Sequence, residues 1–109
     1  MNDTDLSDKK LGEVRERTEA LFKLKRAPSQ ETVFLHLLET GRTMTVREIA
    51  AELDLTDKAA ERAVAKLLEK GLVQRSTFRE GTYTCDSRAI IISLLRVITQ
   101  LYEEYEERN

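Results

Sequence analysis

Cysteine, histidine and proline each occur once in this chain of 109 residues, and glycine four times. A lone Cys85 cannot close an internal disulfide. Cys85 and the single imidazole, His36, are too few for a metal site built from soft ligands. No cofactor is therefore expected. The glycines Gly12, Gly41, Gly71 and Gly81 are isolated punctuation, so no glycine-rich phosphate loop exists. His36 falls within a helical pattern and Cys85 at a strand end, which leaves no Ser-His-Asp or Cys-His arrangement and points away from an enzyme. A redox role for Cys85 needs a positive setting, and Arg88 is the only nearby base. No apolar run approaches the roughly 20 residues that cross a bilayer. The first ten residues, MNDTDLSDKK, are polar and unlike a signal peptide. A cytoplasmic protein without membrane contact is the expectation.

An excess of positive charge is also missing. The formal net charge is −2, a mild argument against indiscriminate nucleic-acid binding. Charge is unevenly distributed. Residues 29–85 carry eight bases against nine acids, whereas Glu103, Glu104, Glu106 and Glu107 make the C-terminal end an acidic pole.

What is present is a stretch that organises the rest: Thr45–Val73, TVREIAAELDLTDKAAERAVAKLLEKGLV. Thr45 with Glu48 forms a capping box at the start of a short helix. Ile49, Ala50 and Leu53 are its buried side. Asp54 and Leu55 make a turn, and Thr56 caps a second helix. Ala59, Ala60, Ala63, Val64, Leu67 and Leu68 recur at helical spacing, and Gly71 ends that helix. Two short helices joined by a tight turn place the second in a DNA major groove.

Upstream, Leu6–Arg26 reads as a helix with Leu11, Val14, Thr18 and Leu21 in one stripe. Pro28 breaks it, and Ser29 is expected to cap a second helix carrying Val33, Phe34, Leu37 and Leu38 up to Gly41. Downstream, Leu72–Phe78 and Thr82–Cys85 read as two strands around the turn Arg79-Glu80-Gly81. Asp86 can cap a final helix from Ser87 to about Glu107. Its Ile91, Leu95, Ile98, Tyr102 and Tyr105 form one apolar row, and Ile90, Leu94, Val97 and Leu101 a second. Such a face is wider than one neighbour in a small domain covers. Leu11, Val14 and Leu21 of the first helix, with Ile91, Leu95, Ile98, Tyr102 and Tyr105, are the expected homodimer seam.

The segment from Pro28 to Cys85, with Leu38–Gly41, the helix Thr45–Leu53 and the junction LLEKGLV at Leu67–Val73, resembles the winged-helix domain of MarR-type and archaeal TrmB-type transcription regulators. The resemblance implies a mainly α fold with a small β-wing, and dimers bound to pseudo-palindromic double-stranded DNA. With the apolar rows of the terminal helices, the expected division is an N-terminal dimerisation helix (1–27), a winged helix-turn-helix DNA-binding domain (28–85) and a C-terminal dimerisation helix (86–109). A small-molecule effector is unknown. On this frame Lys58, Arg62 and Lys66 are the expected contacts of the recognition helix, about 57–70. Arg75 and Arg79 lie on the wing, and Arg42 and Arg47 flank the support helix. Arg62 is favoured for a base contact because a planar guanidinium can grip guanine at two atoms. Where the families open this helix with small hydroxyl residues, the chain has Asp57, Lys58, Ala59 and Ala60, then Glu61. Those acids leave a second reading: a winged-helix module that binds another protein.

Overall fold

A capping box needs a Thr in extended backbone followed three residues later by a Glu, and the chain meets that condition at Thr45 and Glu48. In the computed structural model, which describes residues 3–108, this junction divides the fold. Before it come α1 (Asp3–Lys23), a 3₁₀ turn (Leu24–Arg26), α2 (Pro28–Thr40) and β1 (Met44–Thr45). After it come α3 (Val46–Leu53), α4 (Asp57–Glu69), β2 (Gln74–Arg75), β3 (Thr82–Thr84) and α5 (Ser87–Arg108). The strands form one antiparallel sheet in the order β1-β3-β2, with Met44 opposite Tyr83 and Gln74 opposite Thr84. The architecture is a winged helix-turn-helix, mainly α with a small β-wing.

The core gathers where α2, α3 and α4 meet. Val33, Phe34 and Leu37 of α2 pack with Ile49 and Ala50 of α3 and with Ala60, Ala63, Val64 and Leu67 of α4. Small alanines on α4 let it lie close to its neighbours. Met44, Leu72 and Val73 close the sheet side. At the end of α4, Gly71 takes φ +72. The Leu72 N–H then donates to the Leu67 carbonyl at 2.9 Å and the Gly71 N–H to that of Leu68 at 3.1 Å. This is the Schellman arrangement, which satisfies two carbonyls and turns Leu72 into the core.

A second layer is the pair α1 and α5. Ser93 is fully buried at their crossing. Its carbonyl accepts from Thr18 Oγ1 at 3.3 Å, and its hydroxyl accepts from Arg17 Nε at 3.3 Å while donating to the Ala89 carbonyl at 3.0 Å. A small side chain there permits close approach, and no buried side-chain polar atom among the described residues is left unpartnered.

The structure departs from the sequence reading in several places. Ser29 is not the cap of α2. Ala27 is the N-cap and Pro28 the first helical residue, the position where a proline loses no hydrogen bond and its fixed φ already suits the helix. The first helix ends at Lys23 and tightens into a 3₁₀ turn. The strand expected over Leu72–Phe78 shrinks to Gln74–Arg75, because Leu72 and Val73 serve the helix stop and the core. Met44–Thr45 adds a short strand that was not expected. Val14 is only 8% exposed within the protomer, and Leu21 packs against the core. Val14 therefore has little surface to offer a partner. Residues 1–2 and 109, the outer ends of the two expected terminal segments, lie outside the described residues.

Candidate nucleic-acid interface

The local chemistry of the helix-turn-helix fixes how α4 is presented. Thr45 Oγ1 accepts from the Glu48 N–H at 3.1 Å, and Glu48 Oε1 accepts from the Thr45 N–H at 3.0 Å. Asp54 enters the left-handed region at φ +55, and the Leu55 N–H donates back to the Ala50 carbonyl at 2.9 Å. Asp tolerates that conformation better than most residues. Thr56 Oγ1 then accepts from the Ala59 N–H at 3.0 Å and opens α4.

Helical periodicity sorts the outer surface of α4 once Ala60, Ala63, Val64 and Leu67 face inward. Lys58, Ala65 and Glu69 lie opposite the core. Asp57 and Glu61 fall along one edge of that face, and Arg62 and Lys66 along the other. The basic edge borders the first turn of α2. There Ser29, Gln30, Ala59, Arg62, Ala63 and Lys66 line a shallow groove of about 350 Å³. Asp57 sits in the first turn of α4, where its charge favours the helix dipole. Asp57 and Glu61 thus lie off the basic edge, which Glu69 reaches at Lys66.

Ion pairs divide the other basic side chains. Arg42 grips Glu52 with two nitrogens, at 3.0 Å and 2.9 Å, in the forked geometry that strengthens such pairs. His36 Nε2 lies 2.9 Å from the same carboxylate. The Arg42 contact first, and His36 second, hold the Glu52 carboxyl below its ordinary value. An Arg79 nitrogen donates to Glu48 Oε1 at 2.8 Å. Glu48 is likewise lowered, mainly by the Thr45 backbone and side chain and further by Arg79. Lys66 lies 3.4 Å from Glu69. Arg47, Lys58, Arg62 and Arg75 are exposed and have no ion-pair partner among the described residues.

The wing is short and tightly turned. The Ser76 N–H donates to the Thr82 carbonyl at 2.9 Å. The Phe78 N–H donates to Ser76 Oγ at 3.1 Å, and Thr82 Oγ1 donates to the Arg79 carbonyl. Gly81 turns the chain at φ +73.

The profile of the MarR family matches residues 25–81, which is just over half of the chain. The chain belongs to the MarR family. A solved structure of similar fold is that of a mutant of Lactococcus lactis ZitR in apo form. It shares 22% identity, with all of this chain and 84% of the other covered, at a TM-score of 0.50. A comparison with curated protein sequences gives no match.

On this MarR-type frame the structure brings Arg62 and Lys66 together beside α2 and sets Lys58 on the outermost line of α4. Of the seven expected DNA contacts, Arg42 and Arg79 are paired with acids of α3, Lys66 lies near Glu69, and Arg75 lies on β2. Sequence reading found the capping box but not that Glu48 also reaches the wing. The Arg79–Glu48 pair spans 31 positions, and no local pattern encodes it. Glu52 carried a weak signal, one helical turn beyond Glu48 on the same face.

The expected dimer row has mostly stayed outside the protomer. Ile91, Leu95, Ile98, Tyr102 and Tyr105 are all more than half exposed, while Ile90 and Ser93 turn inward. Leu11 is also exposed. Leu94 and Ile98 form one wall of an apolar groove of about 470 Å³, completed by Leu21, Phe22, Phe34 and Leu38. Among the described residues, no group of three or more His, Cys, Asp and Glu side chains is placed to hold a metal. No helix there is long and apolar enough to cross a membrane.

Proposed function

We propose that this MarR-family chain is a homodimeric transcription regulator that binds specific sites in double-stranded DNA. It inserts α4 in the major groove and lays the β2–β3 wing along the backbone or minor groove. The observation that carries this reading is the state of Arg62. It is exposed on α4, lies at the basic edge beside Lys66 and the first turn of α2, and has no acid partner among the described residues. A guanidinium so placed is free for a base edge or a phosphate. The long apolar face of α5 supports pairing of two chains, and two copies would set two reading helices against a two-fold site.

Anisotropy titrations against duplexes tiling the region upstream of its own gene test the reading. Binding is expected to be salt-sensitive, with log affinity falling by about 0.9 per log unit of salt for each neutralised phosphate. Arg62→Ala should weaken it at least tenfold, a change of about 1.4 kcal/mol within the range of one bidentate base contact. No duplex binding at low salt, with a protein partner retained instead, turns the choice to the protein-binding reading that Asp57 and Glu61 favour.

A further inference from the structure

The wing carries a side chain that neither the core nor the apolar face of α5 absorbs. Phe78 is 97% exposed, more than any other large apolar residue described. The others lie on α1, α2 and α5, where they flank one another. Phe78 stands alone at the tip of the β2–β3 hairpin. It is not on a loose loop. Its own N–H is taken by Ser76 Oγ, the carbonyl of the next residue accepts from Thr82, and the Arg79 side chain is anchored to Glu48 of α3. The backbone on both sides of the ring is therefore fixed, and the fixing aims an aromatic ring into water.

Charge at the tip tells what the ring meets. Arg79, the expected wing contact beside the ring, is occupied by Glu48, and Glu80 follows it. A tip so neutralised has little pull on phosphate and offers shape and apolar surface instead. Apolar side chains of this kind enter a minor groove and wedge against sugars or between base steps, partly unstacking them. Arg75, unpaired on β2, remains to meet the flanking backbone.

We infer that Phe78 is the minor-groove contact of the wing, an aromatic wedge that loosens a base step beside the site read by α4. The inference rests on the DNA-binding reading above. It makes Phe78, rather than Arg79, the wing residue that sets preference for the flanking sequence. Easily unstacked pyrimidine–purine steps should be favoured there.

The test uses the full chain and 2-aminopurine duplexes. Duplexes from its own upstream region that bind in anisotropy are remade with 2-aminopurine at successive flanking positions. Wild-type protein should raise the fluorescence at one flanking step on each side of the site. Phe78→Ala should abolish that rise and weaken binding about tenfold, in line with the loss of one base–aromatic contact. Phe78→Leu should keep part of both. Thermal melts of the variants should match wild type, since the ring has no partner to lose. If wild type binds but Phe78→Ala leaves affinity and fluorescence unchanged, the wedge is overturned and the regulator reading stands. If wild type binds no duplex even at low salt, the regulator reading fails and the wedge with it.

Discussion

Glu48 and Arg79 join the support helix to the wing at 2.8 Å, through the same oxygen that accepts the Thr45 N–H. One carboxylate therefore starts α3 and holds the wing tip. Glu48→Gln keeps an acceptor for Thr45 and removes the charge. Exposed ion pairs stabilise folds little, so the melting temperature should fall only slightly. Arg79 should become free for phosphate, steepening the salt dependence of DNA binding by about 0.9 per protomer. An unchanged slope across a salt series would show that Arg79 does not contact DNA once released.

Acid should weaken the fold through the two α3 carboxylates. Glu48 and Glu52 both titrate below their ordinary value of 4.5, so the unfolded chain takes up their protons first as pH falls. Their contribution is complete above about 4.5 and is lost as pH drops through the lowered folded values. A Glu48→Gln/Glu52→Gln double variant should have a lower urea midpoint than wild type at pH 7. The gap should narrow at pH 3. A gap of equal size at both pH values would mean the carboxylate charges contribute nothing to stability.

Cys85 gives the opposite sign at the alkaline end. Burial first, and Asp86 second, push its thiol up to about 11 from 9.0. The thiol should stay protonated in the folded protein near neutrality and react slowly with iodoacetamide at pH 8, then quickly once urea unfolds the chain. Stability should be insensitive to this group below about pH 9 and fall as pH rises from 9 toward 11, since the unfolded thiol ionises first. Rapid labelling of the native protein would contradict the buried setting.

Gly71 tests the stop of α4. Its φ of +72 suits glycine, and an added Cβ would lie 3.8 Å from Arg17 Cγ, an ordinary contact. The cost of Gly71→Ala is therefore conformational, about 1–2 kcal/mol. It should appear as a lower urea midpoint with an unchanged circular dichroism spectrum.

The parts of the fold that follow from short-range rules were legible. As helix caps and stop, Thr45, Glu48, Thr56 and Gly71 act on residues close in sequence, and each does in the structure what its type and spacing implied. The inner face of α4 followed from a 3.6-residue period. What could not be read depended on distant neighbours. Val14 fits a stripe that two helices could share, and only the crossing of α1 with α5 at Ser93 decides that it points into its own protomer. The strand limits failed at Leu72 for a related reason, because a β-like apolar pair there serves the helix stop. At the candidate site, charge type was visible in the sequence, but the pairing of Arg42 with Glu52 and Arg79 with Glu48 depends on α3 facing both the preceding loop and the wing.

Assembly separates two residues that the sequence placed on one seam. Leu95 is 56% exposed on α5 and Val14 is buried against its own chain. Leu95→Glu should leave the protomer folded, since the side chain has few contacts to lose there, but should put a charge into the proposed seam. Sedimentation should then report a monomer. A dimer with the four unpaired bases Arg47, Lys58, Arg62 and Arg75 on each protomer can make about eight phosphate contacts, giving a salt slope of about −7, and a monomer about half that. DNA affinity should therefore fall steeply and its salt dependence should halve. Val14→Ala should do the reverse: a loss of about 2 kcal/mol of protomer stability from the cavity, with no change in assembly. A dimeric Leu95→Glu protein would move the seam off this row of α5, and a monomeric Val14→Ala protein would show that the α1–α5 packing and the seam are one structure.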